Sequence, residues 1–417
     1  MKKGSLLLSI VVFAVLVSSC KIKTKDENLV LHTVSMFGEG DASAESYQKL
    51  LTGFMNQYPE IYIEDNSEMS TEQWKKKVIN SFEEEENTPD VIFYFTGADA
   101  KQLILENKVV SIEEIRQVYP DYGNTIRDSA MKFMKEFDGN SYCLPAKGFW
   151  EGLFCNRDIF EQYQIPLPYD WDSFLYAIQQ FSKEGVIPIA VSLHEIPHYW
   201  IEHLILSEGG NIEHRLNPKN YVPVSWVNGL SWFSKLYELS AFPSNTFTIK
   251  NEESTQLFLD KKAAMILDGS WLVQSVTDDK NTIVLPFPVV PNGKMAYGDM
   301  IAGYSSGYYI TRKAWEDEEK RDAAVKFINY MTMPENIAVL CEKGGAPAAD
   351  IPTSSGTSPL QVLGNELQQN AKNVCMPIDS KLYKDAWQYL CSQIARIAKG
   401  EISPEEVMEE VSKKNQW

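Results

Sequence analysis

His194, Glu195 and His198 stand in the spacing His-Glu-x-x-His. On a helix that spacing puts two imidazoles on one face to hold zinc, with the glutamate as general base. Here Pro197 falls inside the would-be helix, where it removes a hydrogen bond and costs about 3 kcal/mol. Proline suits the start of a helix, so a helix is expected from His198 onward, leaving His194 outside it. Glu202 and His203 are the residues that would complete a ligand set, and a surface zinc metallohydrolase using His194 and His198 remains an alternative. Of the six cysteines, Cys20 is treated separately below. Cys143, Cys155, Cys341, Cys375 and Cys391 contain no C-x-x-C pair, which supports neither a zinc site nor a redox motif. Pairing of Cys143 with Cys155, or of Cys375 with Cys391, stays open beside buried free thiols. Ser192 has no recognisable base partner, and no two carboxylates are fixed at the separation that glycoside hydrolysis needs. None of these patterns fixes a catalytic constellation. No cofactor and no metal is assigned.

The chain has 417 residues, enough for two or three domains. Hydrophobic residues make up 44% and aromatic residues 12%, too many for a mostly disordered chain. The net charge of −18 argues against nucleic acid as a partner, because phosphates reward Lys and Arg. From Leu29 strands and helices alternate. Leu29 to Phe37 and Ile61 to Ile63 read as strands. Val91 to Phe95 is a continuous apolar strand of the kind buried on both faces. Tyr47, Leu50, Leu51 and Phe54, then Trp74, Val78, Ile79 and Phe82, recur at helical spacing. Later come short extended pieces at Tyr142 to Pro145 and Gly152 to Cys155, and strands at Pro188 to Val191, Ala263 to Leu267 and Ser306 to Ile310. Helices are expected at Trp171 to Phe181 behind Asp170 as N-cap, Trp226 to Leu239, Ala323 to Met331 and Leu382 to Ala398. A last helix should open at Ser403-Pro404. Such βαβ alternation implies a mainly parallel sheet covered by helices. Thr353 to Pro359 reads as a linker.

The first twenty residues read as an address rather than as fold. Lys2 and Lys3 precede an apolar run, Leu6 to Val17. At about 12 residues, or roughly 18 Å of helix, it fits a signal h-region better than a membrane span. Val17-Ser18-Ser19-Cys20 resembles the bacterial lipobox, whose cysteine is diacylated and becomes the mature N-terminus. Residues 1–19 are thus expected to be a signal peptide, Cys20 the lipidation site and 20–28 a tether, with the membrane reached through the lipid anchor only.

Six stretches, in order, resemble the bacterial extracellular solute-binding proteins of the sugar ABC-importer class. They are Thr88-Pro89-Asp90-Val91-Ile92; Asp138-Gly139-Asn140-Ser141-Tyr142-Cys143-Leu144-Pro145; Phe154-Cys155-Asn156-Arg157-Asp158-Ile159-Phe160; Pro168-Tyr169-Asp170-Trp171-Asp172-Ser173-Phe174; Phe258 to Met265 with Gly269-Ser270-Trp271; and Ala323-Ala324-Val325-Lys326-Phe327-Ile328. Cys155, Arg157, Asp170 and Asp260 depart from the family pattern. The resemblance implies an α/β, two-lobed, periplasmic-binding-protein-like fold with hinge crossovers near Ala146 to Leu153, Asp299 to Tyr304 and Pro347 to Gly356. One lobe would hold 29–147 and 304–350, the other 148–303 and 351–417. A sugar or oligosaccharide would lie in the cleft between them, outside the carboxyl ends of the strands, and pass to ABC permease subunits from a monomeric receptor. Sugars need aromatic plates for their C–H faces and acids or amides for their hydroxyls, which marks Phe37 and Glu39, Asp99, Trp150 and Glu151, Trp200 beside Tyr199, Asp268, Trp271, Tyr304 and Trp387. For Trp271 the competing role is core at a helix start, for Trp387 helix packing, for Asp99 helix capping and for Tyr304 lining the hinge. A peptide, polyamine or chelated-metal cargo, and signalling to a membrane kinase, are the alternatives within this fold.

Overall fold

The computed structural model describes residues 28–351, 358–378 and 382–416. Cys20, the signal segment and most of the linker at Thr353 to Pro359 lie outside them. The first sheet has the order β2-β1-β3-β9, formed by β1 Leu29–Val34, β2 Ile61–Asp65, β3 Val91–Phe95 and β9 Ser306–Ile310. The first three are parallel, and β9 runs antiparallel to β3. The apolar run Val-Ile-Phe-Tyr-Phe makes β3, and four of its five residues are buried. Burying each large apolar side chain contributes about 1.5–3 kcal/mol. The helices Ala44–Gln57 and Glu318–Met331 cover this sheet. Phe54 of the former meets Phe327 of the latter edge-on, ring centroids 5.2 Å apart.

The second sheet has the order β11-β8-β4-β6-β5, with β7 and β10 also on β4. Its strands are β4 Lys147–Asn156, β5 Ile187–Ala190, β6 Ala263–Gly269, β7 Thr282–Leu285, β8 Met300–Gly303, β10 Ala346–Pro347 and β11 Val374–Cys375. β4 organises it. Its first half pairs with β10 at Lys147 and Gly148 and with β8 at Phe149 and Trp150. Its second half pairs with β6 and β7. A Cβ on Gly148 would lie 2.3 Å from the Gly303 carbonyl and 2.6 Å from the Tyr304 ring, so only glycine lets β4 and β8 approach here. The sequence reading found only Gly152 to Cys155 of this strand. Its earlier half is drawn in by β8 and β10, which come from far along the chain.

Helix ends follow local chemistry. Asp170 accepts from the Ser173 N–H at 2.8 Å in a capping box, and the helix runs Trp171–Lys183. Ser403 and Glu406 form a second capping box with Pro404 in the first turn. The helix expected from Ala323 begins earlier, at Glu318, because the Asp317 side chain accepts from the Glu319 and Lys320 N–H groups. Cys143, Cys155, Cys341 and Cys375 are buried free thiols, so neither disulfide is present. A second core, behind the second sheet, packs Leu153, Phe174, Ile189, Trp200, Leu204, Phe233 and Met265.

Candidate functional site

Two cavities of about 220 Å³ each meet between the sheets. Phe149, Trp271 and Ser305 line both. Neither alone reaches the roughly 300 Å³ at which ligand pockets begin; joined, they pass it. One side is formed by residues after β1 and along β3: Met36, Phe37, Asp41, Phe93 and Phe95. On the other are Glu151 of β4, Trp271 after β6, His198, Tyr199 and Glu202 of the helix His198–His214, and Trp387 with Pro377. The strand ends of both sheets thus converge on one hollow, as open α/β sheets require. A wider hollow of about 620 Å³ over Glu84, Glu85, Glu86 and Lys313 contains no ring and offers a sugar no plate.

Trp271 is the centrepiece. It is 40% exposed, although it follows a wholly buried strand. Its indole Nε1–H donates to Asp268 Oδ1 at 2.6 Å, and the Gly269 N–H donates to the same oxygen at 2.7 Å. The ring lies 5.9 Å from Tyr199 and 6.3 Å from Phe149, tilted 35° and 38°. Trp271 therefore has a tilted aromatic neighbour on each of two elements, and all three rings line the hollow. Burial pushes the Asp268 carboxyl up to about 6, against the two N–H donors that pull it down. Burial, then the nearby Asp268, Glu151 and Glu202 carboxyls, push the Tyr199 phenol well above its usual range.

His203 lies beneath, with Nδ1 2.8 Å from the Tyr199 carbonyl, to which it donates. Glu151 Oε2 is 3.7 Å from that nitrogen, beyond hydrogen-bond reach. Burial holds His203 down to about 4, so at neutral pH the contact is not an ion pair. Burial lowers His198 to about 4 as well.

Of the residues marked from sequence, Phe37, Glu151, Trp271 and Trp387 line the joined cavity, and Asp268 braces Trp271. The others lie elsewhere. Glu39 is exposed. Asp99 binds Lys75 Nζ at 2.9 Å. Trp200 is fully buried, between Phe174, Phe242 and Phe287. Tyr304 lies outside the lining of the joined cavity: its hydroxyl donates to the Pro347 carbonyl at 2.7 Å and accepts from Arg127 Nη2 at 3.1 Å. Trp150 corrects a geometric error. Neighbours on a strand face opposite ways, so Trp150 and Glu151 cannot both reach the cleft. Glu151 does; Trp150 packs at 0% exposure, its Nε1–H donating to Asn365 Oδ1 at 3.1 Å. The same alternation would have nominated Phe149. His198 and Glu202, four apart on a helix, share a face, a signal that the zinc question absorbed.

The helix starts at His198, directly after Pro197, and His194 stands exposed outside it. Glu195, the general base of that reading, accepts from the Asn251 N–H at 2.7 Å. Among the described residues no group of three or more His, Cys, Asp or Glu is arranged to hold a metal ion.

Fold and cleft define a two-lobed α/β protein with a ring-lined hollow between its sheets. The family model for bacterial extracellular solute-binding proteins matches residues 49–359, and the chain belongs to that family. It is 23% identical over 351 residues to the melibiose/raffinose/stachyose-binding protein MelE of Bacillus subtilis, covering 74% of this chain and 76% of that one. A solved structure from work on xylan utilization by the thermophilic bacterium Caldanaerobius polysaccharolyticus superposes with a TM-score of 0.77 at 20% identity, over 92% of this chain and 99% of the other. A chitin oligosaccharide binding protein does so with 0.75 at 19%, over 91% and 97%. The family and these neighbours are binding proteins, and the family's setting is extracellular. Among the described residues no helix is long and apolar enough to cross a membrane.

Proposed function

We propose that the protein captures a sugar or oligosaccharide in the cleft and delivers it, chemically unaltered, to an ABC importer. The observation that carries this reading is the cluster of Phe149, Tyr199, Trp271 and Trp387 lining one hollow, with the acceptors Glu151, Glu202 and Ser305 beside them. Rings take the C–H faces of a pyranose while carboxylates and hydroxyls accept from its hydroxyl groups. The relatives described as melibiose/raffinose/stachyose-binding and chitin oligosaccharide binding support the same class of guest.

The lobes are 29–147 with 304–350 and 148–303 with 351–417, and they hinge where β4, β8 and β10 lie side by side. A guest touching both walls favours the closed state, since only differential affinity shifts such an equilibrium. Cys20 carries the lipid that keeps the monomeric receptor at the membrane beside its permease. Isothermal calorimetry with a panel of mono- and oligosaccharides tests the binding reading. Saturable heat with at least one sugar is expected, and silence across the panel overturns it. Mass spectrometry of the membrane-extracted protein tests the anchor: a diacylated Cys20 is expected, and an unmodified one overturns it.

A further inference from the structure

Granted the carbohydrate reading above, one end of the hollow carries a cation and unspent donors. Lys147, the first residue of β4, lines that end, and among the described residues no other Lys or Arg lines either cavity. Its stem runs over Gly345, where a Cβ would come 2.7 Å from the lysine Cγ and 2.3 Å from its Cε, so glycine there clears the path of the side chain. Nζ donates to Ser43 Oγ at 2.5 Å, and that hydroxyl is its one polar partner among the described residues. An ammonium has three N–H donors, and lysine keeps its charge at neutral pH; one neutral acceptor leaves two donors and the charge unanswered. Ser43 is also the residue before the helix Ala44–Gln57, yet its side chain makes no cap bond. Held by the lysine, it leaves the first-turn N–H groups without the acceptor a serine there normally supplies, and the positive end of that helix shares a neighbour with the ammonium. Asp41, the one acid lining this end, answers part of this, its Oδ1 accepting from the Ser43 N–H at 2.7 Å. Ser270, 2% exposed, Ser305 and Ser306 line the same end, and among the described residues none of the three hydroxyls has a hydrogen-bond partner. A carboxylate accepts from ammonium and hydroxyl alike, in shorter and stronger bonds than a neutral oxygen does. A sugar hydroxyl would take one donor here and leave the charge as it stands. The chain's net charge of −18 opposes an acid only weakly, since exposed charges more than about 8 Å away are largely screened at physiological salt. The other end is lined by Glu151 and Glu202 and by no Lys or Arg, so a guest's acid has one place to go.

We infer that the preferred guest is an acidic sugar, its carboxylate held by Lys147 and the hydroxyls of Ser270, Ser305 and Ser306, its ring toward Phe149 and Trp271. Calorimetry at pH 7 on matched sets tests this: glucose, glucuronate and methyl glucuronate; galactose, galacturonate and methyl galacturonate; the galacturonate dimer and its dimethyl ester. The acid of at least one set is expected to bind at least about tenfold tighter than its neutral and esterified members. Lys147→Gln is expected to shrink that preference more than it weakens the neutral member, and Lys147→Arg, which keeps the charge, to retain most of it. Neutral members binding as tightly as the acid overturn the inference and leave the carbohydrate reading intact. Glucose 6-phosphate binding tighter than every carboxylate overturns it too, assigning the end to a phosphate. Failure of every member of every set, acid and neutral alike, overturns the carbohydrate reading itself. The wild-type comparison decides alone, so a variant that fails to fold does not blunt the test.

Discussion

The two walls of the cleft are built on different principles. The wall from the first sheet is core that surfaces. Phe37 is 2% exposed and packs at 4.6 Å on Phe93 and 5.3 Å on Tyr47, so rings that line the hollow also hold the first sheet's core together. The wall from the second sheet separates the tasks. Trp200 is wholly buried, while its neighbour Tyr199 and the 40% exposed Trp271 face the hollow, braced by Asp268. A wall whose recognition rings are not its core can change its guest without unfolding. On the proposed function, the second wall is therefore the one free to set specificity, and the first acts as a fixed lid.

That contrast breaks most visibly at tryptophan. Trp200→Ala should cost about 3–5 kcal/mol of stability in denaturant titration, with the folded fraction binding sugar within a fewfold of wild type. Trp271→Ala should do the reverse, lowering affinity about 30-fold, worth about 2 kcal/mol, while the melting temperature moves by only about 3 °C or less. If both substitutions cost stability alike, the division of labour in the second wall does not exist.

The reach of sequence reasoning follows the range of the forces involved. The buried strand at Val91, the cap at Asp170 and the opening of the last helix at Ser403 are set by neighbours within a few residues, and all stand as read. The helix start after Pro197 is equally local. The first half of β4 was not legible, because its partners β8 and β10 lie about 150 to 200 residues away. Among the candidate residues, Trp271 was marked from its place after a strand, and it lines the hollow. Trp200 and Tyr199 could not be told apart, since both sit in the first turn and only the packing of Phe174 and Phe287 decides which turns inward. Trp150 was legible and misread: Glu151 facing the cleft already fixes its neighbour on the other side.

A smaller effect separates the brace from the ring it holds. Asp268→Asn keeps an acceptor for the Trp271 indole but removes the charge, and should weaken binding about fivefold. It also reports through pH. Asp268 is raised from 3.8 to about 6, so between those values the folded protein holds a proton that the unfolded chain has released. Its contribution makes stability fall as pH rises through that window. His198 and His203 are lowered from 6.5 to about 4. There the unfolded chain holds the extra protons, and stability is lost as pH falls from about 6.5 to about 4. Two histidines outweigh one aspartate, so melting temperature should drop toward acid. Asp268→Asn removes the opposing contribution, and its drop should be steeper than that of wild type. An unchanged or shallower slope would show that Asp268 ionises as an ordinary surface acid.

The smallest effect belongs to Asp99, on the first-sheet side of the molecule. Its carboxylate holds Lys75, 36% and 22% exposed respectively, and Lys75 Nζ lies 4.4 Å from the centre of the Phe95 ring, a ring that lines the cleft. Partly exposed ion pairs are worth about 0.2–1 kcal/mol. Asp99→Asn should therefore cost less than about 1 kcal/mol of stability and leave sugar affinity unchanged within about twofold, because Phe95 is fixed by its place in β3 rather than by the cation behind it. A tenfold loss in calorimetry would instead mean that the first wall depends on its charged surroundings, and the distinction between a fixed lid and an adjustable recognition wall would have to be given up.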